Sequence, residues 1–149
     1  MIKKIALLFL PAVLCCIIVN AQLRKIPSVV TDSFTEKYPA ATNVEWKDNL
    51  TNFEADFTLD DESWSVLFNS KGEWKESDQH MDFDDLPAEI KDGFQKSKYA
   101  DWQPGNSKLI QQKDKDAVYK VYAEKNNIFQ KVYLYFNEEG QLIKEAPGI

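Results

Sequence analysis

The stretch "LFNSKGEWKE", Leu67 to Glu76, returns 68 residues later as "YFNEEGQLIKE", Tyr135 to Glu145. Each copy carries an aromatic, an Asn and, three residues on, a Gly. An aromatic ending an apolar-alternating run marks the end of a strand. Asn69 or Asn137 then opens a turn, and Gly72 or Gly140 takes the left-handed conformation that Gly alone adopts without strain. A new strand starts at Trp74 or Leu142. The same hairpin is expected twice.

Working backwards from the hairpins, "IPSVVTDSFTEKYP" from Ile26 and "LPAEIKDGFQKSKY" from Leu86 match at an offset of 60. Pro27 and Pro87 are expected at the first helical position, where the fixed φ of proline is already correct. Val30, Phe34 and Tyr38 fall at i, i+4 and i+8, the apolar stripe of a helix of about 12 residues, which Pro39 closes. After each helix the period becomes two. In "NFEADFTL" Phe53, Ala55, Phe57 and Leu59 alternate with Glu54, Asp56 and Thr58, and "SWSVLFN" follows with Trp64, Val66 and Phe68. The later half offers "VYKVYAE" and "KVYLYFN", joined through Asn126-Asn127, a pair suited to a tight hairpin. Centring the pairing there sets Val121 opposite Val132 and Tyr119 opposite Leu134. With "NVEWKD" and "NSKLIQQ" as first strands, the expected fold is α+β. It is a tandem repeat of a helix followed by four antiparallel strands, over about residues 26–80 and 86–146. One unit alone leaves a sheet edge and a helix face open, so the halves are expected to share one continuous antiparallel sheet with both helices on one face.

These residues resemble the PepSY-like family of exported bacterial proteins, whose fold is similar to that of the beta-lactamase inhibitor protein. The resemblance spans about Ile26 to Glu145 and rests on "FTEKYPAATNVEW", the "LP" before the second helix, and the two aromatic-Asn-x-x-Gly hairpins. It implies a sheet face that holds a protein partner, and an inhibitory or peptidase-regulating role. It implies no catalytic residues.

The first 21 residues read as a cleavable secretory signal: Lys3 and Lys4, an apolar run from Ile5 to Val19, and a small-residue site ending at Ala21. The run is short for a membrane span of about 20 residues. Cys15 follows Leu14 and Cys16 follows Cys15, without the small residue that a lipid-modified Cys requires before it. Removal of residues 1–21 leaves a single domain, 22–149, with no Cys and with 16 basic against 24 acidic side chains, a charge of 16 − 24 = −8; the whole chain carries −6. The expected location is the periplasm or the exterior. Acidity of this degree argues against nucleic acid and against an anionic membrane surface.

Enzymatic chemistry finds little support. His80 is the one His, reads as a solvated residue between the two repeats, and no G-x-S-x-G elbow is present. Three acidic clusters, Asp60 to Glu62, Asp82 to Asp85 and Asp114 to Asp116, lack the calcium-loop spacing. Asp60-Asp61 fits a hairpin turn, and Asp84 or Asp85 fits a cap before the second helix. No cofactor or metal is expected. The outward strand positions differ between the halves: Glu54, Asp56, Thr58, Ser65 and Leu67 in the first, but Val118, Lys120, Tyr122, Phe129, Lys131, Tyr133 and Tyr135 in the second, all but Val118 being the binding candidates. Large aromatics facing solvent have the composition of an interface, and the same residues as cross-strand pairs would only stabilise the sheet. The function expected is that of an exported, non-enzymatic protein- or peptide-binding domain, with a ligand- or cation-binding envelope protein using the acidic loops as the alternative.

Overall fold

The computed structural model describes residues 25–125 and 130–148. Residues 1–21, with Cys15 and Cys16, the Asn126-Asn127 pair and Phe129 lie outside these. Helix α1 (Ser28–Lys37) is followed by β1 (Thr42–Asp48), β2 (Asn52–Leu59), β3 (Glu62–Asn69) and β4 (Trp74–Met81). A short 3-10 turn (Phe83–Asp85) leads to α2 (Ala88–Lys96), then β5 (Gln103–Gln112), β6 (Val118–Lys125), β7 (Gln130–Phe136) and β8 (Leu142–Pro147). All eight strands form one antiparallel sheet in sequence order. Its two halves join where β4 pairs with β5, Ser77 opposite Gln111 and His80 opposite Lys108.

Directly paired residues share a face, so one face can be traced across the whole sheet. Phe53, Ala55 and Phe57 pair with Phe68, Val66 and Trp64. The line continues through Ser77 and Gln111 to Leu109 and Tyr119, and on to Phe136 and Leu134. Both helices cover this inner face. Val30 and Phe34 of α1 pack on Phe53, Phe57, Val66 and Phe68, and the Phe34 ring meets Phe57 edge-on at 5.1 Å. Ile90 and Phe94 of α2 pack on Val121, Leu134 and Phe136. A fully buried Phe of this kind contributes about 1.5–3 kcal/mol over an exposed one. The core is therefore two clusters, separated by a polar seam. In it Ser77, 1% exposed, takes a hydrogen bond from Trp74 Nε1 at 2.7 Å and lies 2.5 Å from the Tyr38 hydroxyl.

The two Asn-x-x-Gly hairpins, Asn69 to Gly72 and Asn137 to Gly140, have matching geometry. Gly72 and Gly140 both sit at φ +77°, and each amide donates to the Asn carbonyl three residues before it, at 3.0 Å. Four expectations change in detail. The β6–β7 register places Val121 opposite Leu134 and Tyr119 opposite Phe136, two residues from a pairing centred on Asn126-Asn127. A slip of two keeps every side chain on its own face, so the inward and outward sets survive it. Pro27 and Pro87 stand at the N-cap, one residue before the helices, where the Pro27 carbonyl accepts from Val30 and Thr31. The helices have 10 and 9 residues, not 12. Asp84 and Asp85 do not cap α2; they belong to the 3-10 turn, and Lys91 Nζ donates to the Asp84 carbonyl at 2.8 Å.

Asp60 and Asp61 form the two-residue turn between β2 and β3, closed by the Leu59–Glu62 pair, and both are left-handed at φ 52° and 65°. A turn with both central residues left-handed favours Asn-Gly. The double variant Asp60→Asn, Asp61→Gly relieves the left-handed strain and is expected to raise stability by about 0.5–1 kcal/mol in urea denaturation. No gain would mean that the aspartates hold the turn by contacts of their own.

Candidate functional site: the outer sheet face

The face opposite the helices is polar in the first four strands and carries aromatics on β6 and β7 of the last four. In the first half, Lys47 bonds to Asp56, whose other oxygen accepts from Ser65 Oγ at 2.6 Å. Burial pushes the Asp56 carboxyl up, but the hydrogen bonds from Lys47 and Ser65 outweigh it and leave Asp56 below its usual range. Ser65 Oγ also lies 3.1 Å from His80 Nε2. His80 is thus a strand residue near the centre of the sheet and not part of a linker between the halves. It was missed because Ser77 and Gln79, its inward neighbours in β4, are polar and erase the apolar alternation that marks a strand.

The second half brings four of the six predicted side chains into one concavity of about 410 Å³, where Lys120, Tyr122, Lys131 and Tyr133 stand with His80, Lys108 and Asn106. Tyr122 pairs with Tyr133 across β6 and β7, the rings 5.7 Å apart and tilted. Tyr135 pairs with Lys120 beside the concavity. The Lys120 ammonium lies 3.8 Å from the Tyr133 ring centre and 5.8 Å from that of Tyr135, and Lys144 of β8 approaches the Tyr135 ring at 5.0 Å. An ammonium over an aromatic face is held by the ring quadrupole, and more strongly where water is excluded. Burial, then the neighbouring Lys108 ammonium, push the Lys120 pKa below that of an ordinary lysine. The Tyr122 hydroxyl donates to Glu124 at 2.8 Å, and that bond raises its pKa. The ring stands where Gly105 leaves room, since a Cβ there would come within 2.8 Å of it. Phe129 lies outside the described residues.

At the junction of the halves, Lys108 of β5 pairs with Asp78 of β4, which is 8% exposed. Among the described residues Asp78 Oδ1 has no hydrogen-bond partner. Sequence reasoning overlooked Lys108, Lys144 and Asp78. Only the pairing of β4 with β5 and of β7 with β8 carries them to this face. The acidic clusters fall in separate turns, and among the described residues no group of three or more His, Cys, Asp or Glu is placed to hold a metal ion. No helix among the described residues is long and apolar enough to cross a membrane.

The profile of the family described as "Putative beta-lactamase-inhibitor-like, PepSY-like" matches residues 51–144, more than half of the chain. The chain belongs to this PepSY-like family. Solved structures share the fold of this PepSY-like chain at low sequence identity. A DUF2874 family protein from Bacteroides ovatus superposes with a TM-score of 0.79 at 23% identity, over 83% of this chain and 88% of that one. A BLIP-like protein from Bacteroides fragilis gives 0.77 at 23%, over 83% and 86%. A protein from Bacteroides eggerthii, described among "putative periplasmic proteins", gives 0.77 at 21%, over 83% and 89%. None of the curated proteins matches the chain.

Proposed function

We propose that the protein is an exported, non-enzymatic binding domain that presents the outer face of its sheet to a protein or peptide in the cell envelope or outside the cell. The observation that carries this reading is the contiguous surface of Tyr122, Tyr133 and Tyr135 with Lys120 seated on two of the rings. Both helices are spent on the inner face, so packing within the domain does not call for these rings on the outer one. Tyr is the residue type enriched at interfaces, offering a broad amphipathic surface at small entropic cost. The beta-lactamase-inhibitor-like description of the family and the periplasmic description of the Bacteroides eggerthii neighbour point the same way, toward inhibition or regulation of an enzyme and toward export through residues 1–21. The order of one helix and four strands, met twice with matching Gly turns, supports a domain built from two repeats over about 26–80 and 86–146. In that reading the first repeat keeps a polar outer face and the second has specialised. The ligand- or cation-binding alternative has no cluster among the described residues to favour it.

The test is the triple variant Tyr122→Ala, Tyr133→Ala, Tyr135→Ala, compared with the parent for capture of a partner from envelope extract. Removing aromatic anchors from an interface costs about 2 kcal/mol or more each, a loss of affinity far beyond tenfold for the set. The three rings are half-buried and lie outside both core clusters, so the variant is expected to keep the circular dichroism and most of the stability of the parent. Unfolding of the variant, or capture at full strength, would make the tyrosines structural and refute the proposed surface.

A further inference from the structure

The register sorts the charges of the outer face by half. Strands β1–β4 place Glu45, Glu54, Asp56, Glu76 and Asp78 there against Lys47, five carboxylates to one ammonium and a formal −4. Strands β5–β8 place Lys108, Lys120, Lys131 and Lys144 there against Glu124, a formal +3. A chain of net charge −6 thus concentrates cations on one half of one face, around the tyrosines. Lys47 is neutralised in place by Asp56, and Lys108 by Asp78. Lys120 is different. Among the described residues no carboxylate forms an ion pair with it: the rings of Tyr133 and Tyr135 flank its ammonium, and the Asp78 and Glu76 carboxylates act on it only through space. A half-buried ammonium that faces a concavity with no ion-pair partner of its own is placed to receive a carboxylate.

We infer that the occupant of this face is an acidic segment of a partner protein, with a side-chain or terminal carboxylate entering the concavity against Lys120 while its neighbouring residues lie on Tyr122, Tyr133 and Tyr135. The inference rests on the proposed binding role and adds the chemistry of the partner. The acidic half of the face rejects the same segment, so the field selects both the sign of the partner and the half on which it docks.

The probe is a short fluorescein-labelled poly-L-glutamate peptide, followed by fluorescence anisotropy at low salt, with labelled poly-L-lysine alongside. The net charge of the protein repels polyglutamate at long range, so its binding has to come from a local patch. Polyglutamate is expected to bind, to weaken steeply as salt rises, and to lose at least about tenfold in affinity in Lys120→Glu and several-fold in Lys120→Gln. Lys71→Glu, the same charge change on the exposed β3–β4 turn, is expected to alter it less than about twofold. Equal loss in Lys120→Glu and Lys71→Glu, no binding of polyglutamate, or full displacement by millimolar inorganic phosphate would overturn the inference. So would a dimer in sedimentation equilibrium that Lys120→Glu dissociates, since a second copy would then be the occupant. If the triple tyrosine variant loses its partner while polyglutamate fails to bind, the surface stands and only its acidic specificity falls. If the triple variant keeps its partner, the proposed function falls first.

Discussion

Gly140→Val is expected to cost about 3–5 kcal/mol, a large part of the roughly 5–15 kcal/mol that holds a domain of this kind together. Two costs coincide at this position. The backbone is left-handed at φ +77°, where a β-branched residue is disfavoured by about 1–2 kcal/mol. A Cβ would also fall 2.1 Å from the Glu89 carbonyl oxygen, inside helix α2. The helix cannot retreat cheaply, because Gly93 on its next turn meets the same hairpin: a Cβ on Gly93 would lie 2.0 Å from the Gly140 carbonyl oxygen. Two glycines therefore let α2 and the β7–β8 turn touch backbone to backbone, and Ile90 and Phe94 reach the core from that position. Gly72 has the same φ, but the nearest atom to its would-be Cβ is the Ser33 hydroxyl at 2.6 Å, which can rotate away, with the Val29 carbonyl oxygen next at 2.7 Å. Gly72→Val is accordingly expected to cost less, about 2–3 kcal/mol. Urea denaturation of the two variants settles the order. A loss at Gly140 no greater than at Gly72 would mean that α2 adjusts freely, and the close approach would carry no weight.

Lys108→Ala is expected to cost about 2–4 kcal/mol, an effect out of proportion to one partly exposed lysine. Its partner Asp78 is 8% exposed, and the pair sits where the two halves of the sheet meet. Surface ion pairs contribute little, but removing one member of a buried pair leaves the other charged without compensation. Asp78 is already short of one hydrogen bond at Oδ1 among the described residues, so it has no second donor to fall back on. Adding Asp78→Asn to Lys108→Ala removes the stranded charge and is expected to recover at least half of the loss. A double-mutant cycle in urea measures this. Additive costs would show that the pair does not act as a unit, and that the seam is held by the β4–β5 backbone ladder alone. For the same reason the binding tests above leave Lys108 intact: its loss would report on folding before it reported on a partner.

How much of this was legible beforehand depended on how local each signal was. The Asn-x-x-Gly turns, the Asp60-Asp61 hairpin and the alternation of Phe53, Ala55 and Phe57 are written within a few residues, and each appears where the sequence placed it. Inward and outward positions of the tyrosines were equally legible, because a period of two survives even the slip of two in the β6–β7 register. His80 was misread since β4 lies over the polar seam and lacks an apolar rhythm. The Gly93–Gly140 contact had no signal at all, because two glycines far apart in the chain carry no mark of touching.

The chain by itself determined the fold class, the two hairpins, the apolar faces of the helices and strands, and the overall acidity, because each follows from local stereochemistry, short periods or simple composition. Only the tertiary structure decided that the two cores stay separate, that Lys108 meets Asp78, and that Lys108, Lys120, Lys131 and Lys144 gather around the tyrosines on one half of one face. Those arrangements depend on which strand lies beside which and in what register. Pairing of that kind joins residues tens of positions apart, and no local pattern in a single sequence encodes it.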